Sequence, residues 1–114
     1  MDIEAFPMAT TTVMLVVGHI HDPAALPRIP GFHFRTFDAV NGALLEELRP
    51  EVVLSALIAE DFDAIDLARL LGKSGYKGRY RAVSGALPSV RVVLSEVRAS
   101  APGLDFDLFV MDRG

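Results

Sequence analysis

The chain has 114 residues, of which 51% are hydrophobic and 23% are charged, so it is long and apolar enough to form one domain with a sizeable core. It contains no cysteine, which excludes disulfides, thiolate catalysis and cysteine-based zinc sites. The formal net charge is -4 and the eleven Lys and Arg residues are scattered, so we expect neither a phosphate-binding basic patch nor a nucleic-acid partner.

The start of the sequence is not typical of a secreted or membrane protein. The apolar run 13–17 is too short to span a bilayer, and the N-terminus lacks the basic segment of a signal peptide. We therefore expect a cytoplasmic protein with no membrane partner. Residues 1–11 contain Pro7 and are predicted to form a flexible leader, followed by a single domain over 12–114.

The first two predicted strands are joined by a segment that is too rich in proline for a long helix. Residues 12–17 are largely apolar and β-branched and are followed by Gly18, which is typical of a central parallel strand. The segment 19–31 contains three prolines, so we expect at most one helical turn there, capped by Asp22. Residues 32–37 alternate in part and predict an edge strand.

Two amphipathic helices are predicted on either side of a third strand. Asp38 can cap a helix over 40–49, which Pro50 ends. The largely apolar segment 51–57 predicts the strand. Asp61 or Asp63 can cap the next helix, which extends to about residue 73.

The last third of the chain predicts a strand, a helix and a strand. The strand covers about 79–83, and the helix begins near Pro88 and extends to about residue 100. Residues 104–111 alternate between apolar and acidic side chains and predict the fifth strand. Strands that alternate with helices indicate an α/β fold with a parallel sheet and right-handed crossovers.

The segment 50–67 resembles the receiver domains of CheY-like response regulators. It has a Pro-acidic pair at 50–51, a hydrophobic strand, an acidic turn around Asp61 and Asp63, and an amphipathic helix. The resemblance extends over about 12–111 and implies a flavodoxin-like sheet with the strand order 2-1-3-4-5. In the family, the last or next-to-last residue of the third strand is the Asp that accepts a phosphoryl group. Here Ala56 occupies that position after Ser55, and neither residue can form an acyl phosphate.

The other functional positions of the family are also largely lost. The acidic pair that binds magnesium corresponds to Gly18 and His19, and the lysine that closes the fifth strand has no counterpart. The family's Ser or Thr after the fourth strand corresponds to Ser84. The resemblance therefore implies a degenerate site of Gly18, His19, Ala56 and Ser84. It predicts a pseudo-receiver that is not an enzyme, needs no cofactor and acts by protein–protein contact in bacterial signalling.

The first and fifth helices of a complete receiver are predicted to be reduced or absent, and in the family these two cover the same face of the sheet. Either a second copy covers that face, giving a homodimer, or the face is partly polar or covered by a further domain; the sequence leaves both open. Val13, Leu15 and Val17, or their neighbours, would supply an apolar centre. Five polar residues at alternating strand positions would surround it: His33, Arg35, Arg81, Asp105 and Asp107.

A cluster after the first strand supports a different hypothesis, a small metal- or ligand-binding domain. His19, His21 and Asp22 follow the first strand at the carboxyl edge, where α/β folds bind ligands, and Asp38 and Ser84 lie at the ends of the second and fourth strands. Imidazole and carboxylate groups are common metal ligands. The competing interpretation is a turn with two solvated histidines and a capping aspartate.

Overall fold

Five parallel strands form one sheet in the order β2-β1-β3-β4-β5, as the receiver resemblance predicts. The computed structural model describes residues 12–20 and 22–111, so the predicted leader at 1–11 lies outside the described residues. The fold is α/β with flavodoxin-like strand order. The strands are β1 (Met14–Val17), β2 (Phe32–Arg35), β3 (Val52–Ala56), β4 (Arg79–Ser84) and β5 (Asp105–Val110).

The part of the chain that the structure describes contains the three predicted α-helices, namely α1 (Gly42–Leu48), α2 (Ala64–Lys73) and α3 (Val90–Ser100). None of them is long and apolar enough to cross a membrane. The cap of α1 differs from the prediction. Asn41, not Asp38, is the N-cap, and its side chain accepts a hydrogen bond from Leu44 N at 2.8 Å. Asp38 lies one turn earlier, in a short 3-10 helix.

The helix α2 begins at one of the two predicted caps. Asp63 accepts a hydrogen bond from Asp66 N at 2.9 Å, and the Asp66 carboxylate accepts one from Asp63 N at 3.0 Å. This reciprocal pair is a capping box, which satisfies two backbone donors that the first turn of a helix leaves unpaired. Both carboxylates therefore stabilise the helix.

The topology places all three α-helices on one face of the sheet. The chain moves in one direction across the sheet from β2 through β3 and β4 to β5, and right-handed crossovers in one direction lie on one side. We call this the inner face. Its side chains form the buried core with the helices: Leu15, Val17, Val53, Ser55, Tyr80, Ala82, Phe106 and Leu108.

The connection from β1 to β2 runs in the opposite direction and belongs to the other face, which we call the outer face. It contains one 3-10 turn, Pro23–Ala25, and Asp22 caps it as predicted by accepting a hydrogen bond from Ala24 N at 3.0 Å. No α-helix lies in the described part of this connection, and the described chain after β5 consists of Met111. The outer face therefore has no described α-helix against it.

The sequence left two alternating sets open for the apolar centre of the outer face, and the structure selects one of them; the placement of two polar residues on that face was wrong. Leu15 and Val17 are 0% and 1% exposed and lie on the inner face, so their neighbours Met14 and Val16 face outward. His33 and Arg35 are in register with Leu15 and Val17, which places them on the inner side of the edge strand β2. The remaining three of the five polar residues lie on the outer face as expected: Arg81, Asp105 and Asp107.

One polar pair lies inside the core. The hydroxyl oxygens of Ser55 and Tyr80 are 2.6 Å apart, and Ser55 Oγ also donates to Ala56 O at 2.8 Å. Ser55 is 5% exposed and Tyr80 is 0% exposed, so the buried Tyr80 hydroxyl depends on Ser55 Oγ for its hydrogen bond. The pair links the two central strands β3 and β4.

Both tyrosines should resist ionisation in the folded chain. Burial raises the pKa of Tyr76 to about 12, and its hydroxyl donates to Pro50 O at 3.0 Å. Burial also raises the pKa of Tyr80. Because the unfolded chain loses these protons near pH 10, the contribution of the tyrosines to stability is complete below pH 10 and is lost as the pH rises through the folded-state pKa values.

This behaviour can be measured directly, because the chain has two tyrosines and no tryptophan. We expect the phenolate absorbance of the folded protein to rise only well above pH 10, whereas protein unfolded in urea titrates near pH 10. Tyr80→Phe should remove one of the two transitions and reduce the loss of stability at alkaline pH. A folded protein whose two tyrosines both titrate near pH 10 would contradict the buried placement.

Candidate functional site

The carboxyl ends of β3, β4 and β5 surround an open cleft of about 590 Å³. In open α/β sheets, this edge is where ligands bind. Its wall is largely backbone and apolar side chain, and Ser84 contributes a hydroxyl. The lining residues are Ala56, Leu57, Ile58, Val83, Ser84, Gly85, Ala86 and Met111.

Two of the four residues of the predicted degenerate site line this cleft. Ala56 is the last residue of β3 and is exposed, and Ser84 is the last residue of β4. Gly18 and His19 follow β1, the strand next to β3, so they lie at the same edge of the sheet. A Cβ atom on Gly18 would meet nothing within 4 Å. The space at this position would therefore accept a carboxylate side chain, but the sequence does not provide one.

The loop after β3 is held in a fixed shape. Leu57 O accepts a hydrogen bond from Ala64 N at 2.9 Å, and Phe62 O accepts one from Ala59 N at 2.9 Å. Phe62 is 5% exposed and stacks on Phe37, with ring centroids 4.9 Å apart. The aromatic stack anchors the loop to the segment that follows β2.

This anchored loop brings an acidic residue to the end of β1, which sequence reasoning did not foresee. His19 Nε2 lies 3.5 Å from Glu60 Oε2. Both side chains are well exposed, so the pair is screened by water and contributes little to stability. The contact depends on the folded loop, and the positions of the two residues in the sequence do not predict it.

The carboxylates near the site do not reproduce a magnesium pair. Glu60 lies beside His19, and Asp63 and Asp66 form the capping box of α2. Among residues 12–20 and 22–111, no group of three or more His, Asp or Glu side chains is placed to hold a metal ion.

The structure describes only some residues of the predicted metal cluster. Asp22 caps the 3-10 turn Pro23–Ala25, and Asp38 lies in the 3-10 helix Phe37–Ala39. His21 lies outside the described residues. Asp22 and Asp38 thus belong to two separate 3-10 helices. His19 lies near Glu60, which was not among the predicted ligands.

Comparison of the chain with protein-family models, with curated proteins and with solved structures gave no significant match. The flavodoxin-like topology is therefore established by the coordinates alone.

Substituting Ala56 by Asp should supply the missing carboxylate at small cost without creating a phosphorylation site. Because Ala56 is exposed, the new charge remains hydrated, and we expect the free energy of unfolding to fall by less than about 1 kcal/mol. The matched control is Ser55→Asp on the inner face, where an unpaired buried charge should cost several times more, about 3 kcal/mol or above.

Urea denaturation of both variants measures this difference, and intact-mass spectrometry after incubation with acetyl phosphate and magnesium measures phosphorylation. We expect no phosphorylated Ala56→Asp protein, because Gly18 and His19 provide no carboxylates for the metal. Efficient phosphorylation would show that another group, such as Glu60, binds the ion.

Proposed function

We propose that this chain is a pseudo-receiver that acts by protein–protein contact in bacterial signalling and does not transfer phosphoryl groups. The observation that carries the proposal is the exposed methyl group of Ala56 at the carboxyl end of β3. In the receiver family that the segment 50–67 resembles, this position holds the nucleophile.

Chemistry supports the loss of phosphoryl transfer. Transfer to an aspartate needs a carboxylate nucleophile and a divalent cation that offsets the charge of the phosphoryl group. An alanine methyl group has no lone pair to donate. The strand ends β1 and β3 carry Gly18, His19 and Ala56, which provide neither part of this machinery.

The surface of the sheet supports a role in binding another protein. The outer face has apolar side chains on its central strands, and none of the described α-helices covers it. Parallel sheets normally have helices on both faces, so an apolar face that no described α-helix covers is a surface on which another protein can pack.

A small-ligand domain is the second candidate, and the cleft at the carboxyl edge favours it. Its lining is apolar with a few backbone amides and one hydroxyl, so it suits a small, mainly apolar molecule better than a metal ion. Calorimetric titration with zinc and magnesium tests the metal-binding form of this second candidate. Stoichiometric binding that His19→Ala abolishes would favour the metal form of the second candidate.

The direct test of the leading proposal is incubation with acetyl phosphate and magnesium, followed by intact-mass measurement. We expect the mass of the wild-type chain to remain unchanged, while a phosphorylatable receiver domain in a parallel reaction gains one phosphoryl group. A stoichiometric, base-labile adduct on any aspartate of this chain would overturn the proposal.

A further inference from the structure

The outer face has two areas of different chemistry. We define the apolar strip as six half-buried outer-face side chains on β2, β1 and β3, and none of them packs against the inner core. We define the charged corner as four outer-face side chains on β4 and β5. The strip consists of Phe32, Phe34, Met14, Val16, Val52 and Leu54. The corner consists of Arg79, Arg81, Asp105 and Asp107.

The two edges of the sheet are partly closed to an additional strand. On β5, Arg98 Nη2 donates to Phe106 O at 3.0 Å, and the side chain of Asp107 accepts from Leu108 N at 2.8 Å. On β2, the guanidinium of Arg35 donates to the carbonyl of the preceding residue at 3.0 Å. Charged side chains that occupy edge backbone groups oppose strand addition. A partner protein is therefore expected to bind a face of the sheet, not one of its edges.

We propose that the outer face binds the outer face of a second copy of this chain, forming an isologous dimer. The proposal names a partner for the interaction function proposed above and rests on it. In such a dimer, the same residues contribute from both copies, and the apolar strip of one copy packs on the apolar strip of the other.

The charges of the outer face suit pairing with a copy of itself. The charged corner has two basic and two acidic residues, so it is neutral although the whole chain carries a net charge of -4. Within one copy, Arg81 Nη1 lies 3.2 Å from Asp105 Oδ1. The charged corner therefore adds no net like-charge repulsion when two copies meet on this face.

A two-fold axis that runs across the strands, between the two sheets, places each strand over its own copy. Facing sheets lie about 10 Å apart and neighbouring strands about 4.8 Å apart. The outer-face arginines of β4 then lie over the arginines of the partner's β4, so opposite charges pair only diagonally, with the long side chain of Arg79 extending to the partner's Asp107 on the neighbouring strand. Because β5 is an edge strand, these pairs lie at the rim, where charges set orientation more than affinity.

The size of the outer face limits the area that two copies can bury. Five strands about 4.8 Å apart and three rows of side chains about 6.7 Å apart give a flat area of about 480 Å² per copy. The total of about 1,000 Å² is at the lower limit for specific protein interfaces. Interfaces at this limit are typical of weak, transient complexes, so we expect a reversible dimer with a dissociation constant on the order of 10–100 μM.

The test is sedimentation of the full chain over a concentration series that brackets this range. We expect the wild type to dimerise, and Leu54→Glu in the apolar strip to weaken association by at least about tenfold, because it places an unpaired charge in the interface. The matched control is Val92→Glu, which adds the same charge at a 54% exposed valine on α3, away from the sheet. This variant should dimerise like the wild type.

A second measurement keeps the test valid if Leu54→Glu fails to fold. The chain has no cysteine, so a single introduced thiol reports one position. Leu54→Cys should be cross-linked to its copy by a short bis-maleimide, since facing strands lie about 10 Å apart, whereas Val92→Cys should not. A wild-type monomer throughout the series, or equal cross-linking of both variants, would overturn the dimer. If such a monomer also fails to accept phosphate, the interaction function would stand with a different partner.

Discussion

Every other feature of this molecule depends on a parallel sheet that the described helices cover on one face. The three crossovers from β2 to β5 run in one direction, so right-handedness places α1, α2 and α3 together. The single crossover in the opposite direction, from β1 to β2, contains the proline-rich segment and no α-helix in its described part. Proline removes backbone donors and restricts the residue before it, so this connection cannot supply the helix that would cover the outer face.

The cleft and the outer face belong to one continuous surface. Ala56 and Val83 line the cleft and are paired neighbours on the outer face, and Phe109, 51% exposed, lies beside Val83 on β5. Ala56 follows Leu54 of the apolar strip on the same face of β3, so the strip continues into the cleft. The methyl group of Ala56 places no charge between the two.

The sequence predicted the elements well, because their signals are local. The strand order followed from the receiver resemblance, and Asp63 was correctly named as one of two caps for α2. The faces of the strands were harder to predict. Residues 14–17 are all apolar, so alternation could not show that Leu15 and Val17 face the helices. On β2, the polar side chains of His33 and Arg35 tolerate the inner side because an edge strand is only half-buried there.

The site was predicted less completely than the fold. Ala56 and Ser84 lie at the carboxyl edge as the resemblance implies, because strand ends are fixed by the topology. The contact between His19 and Glu60 arises from a loop whose shape depends on the stacking of Phe62 on Phe37. Asn41 replaced Asp38 as a cap for a related reason, since the segment between β2 and α1 first forms a 3-10 helix. Both outcomes depend on tertiary contacts that spacing does not encode.

The central claim is that this chain contacts its partner through the outer face of the sheet. A dilution series followed by methyl-resolved NMR spectroscopy tests it most directly, because it maps association residue by residue in the unmodified protein. We predict concentration-dependent shifts for Val16, Leu54 and Val83 on the outer face and constant signals for Leu67 and Val97 in the inner core. Shifts confined to the helices or to the loop around Ile58, with unchanged outer-face signals, would contradict the claim.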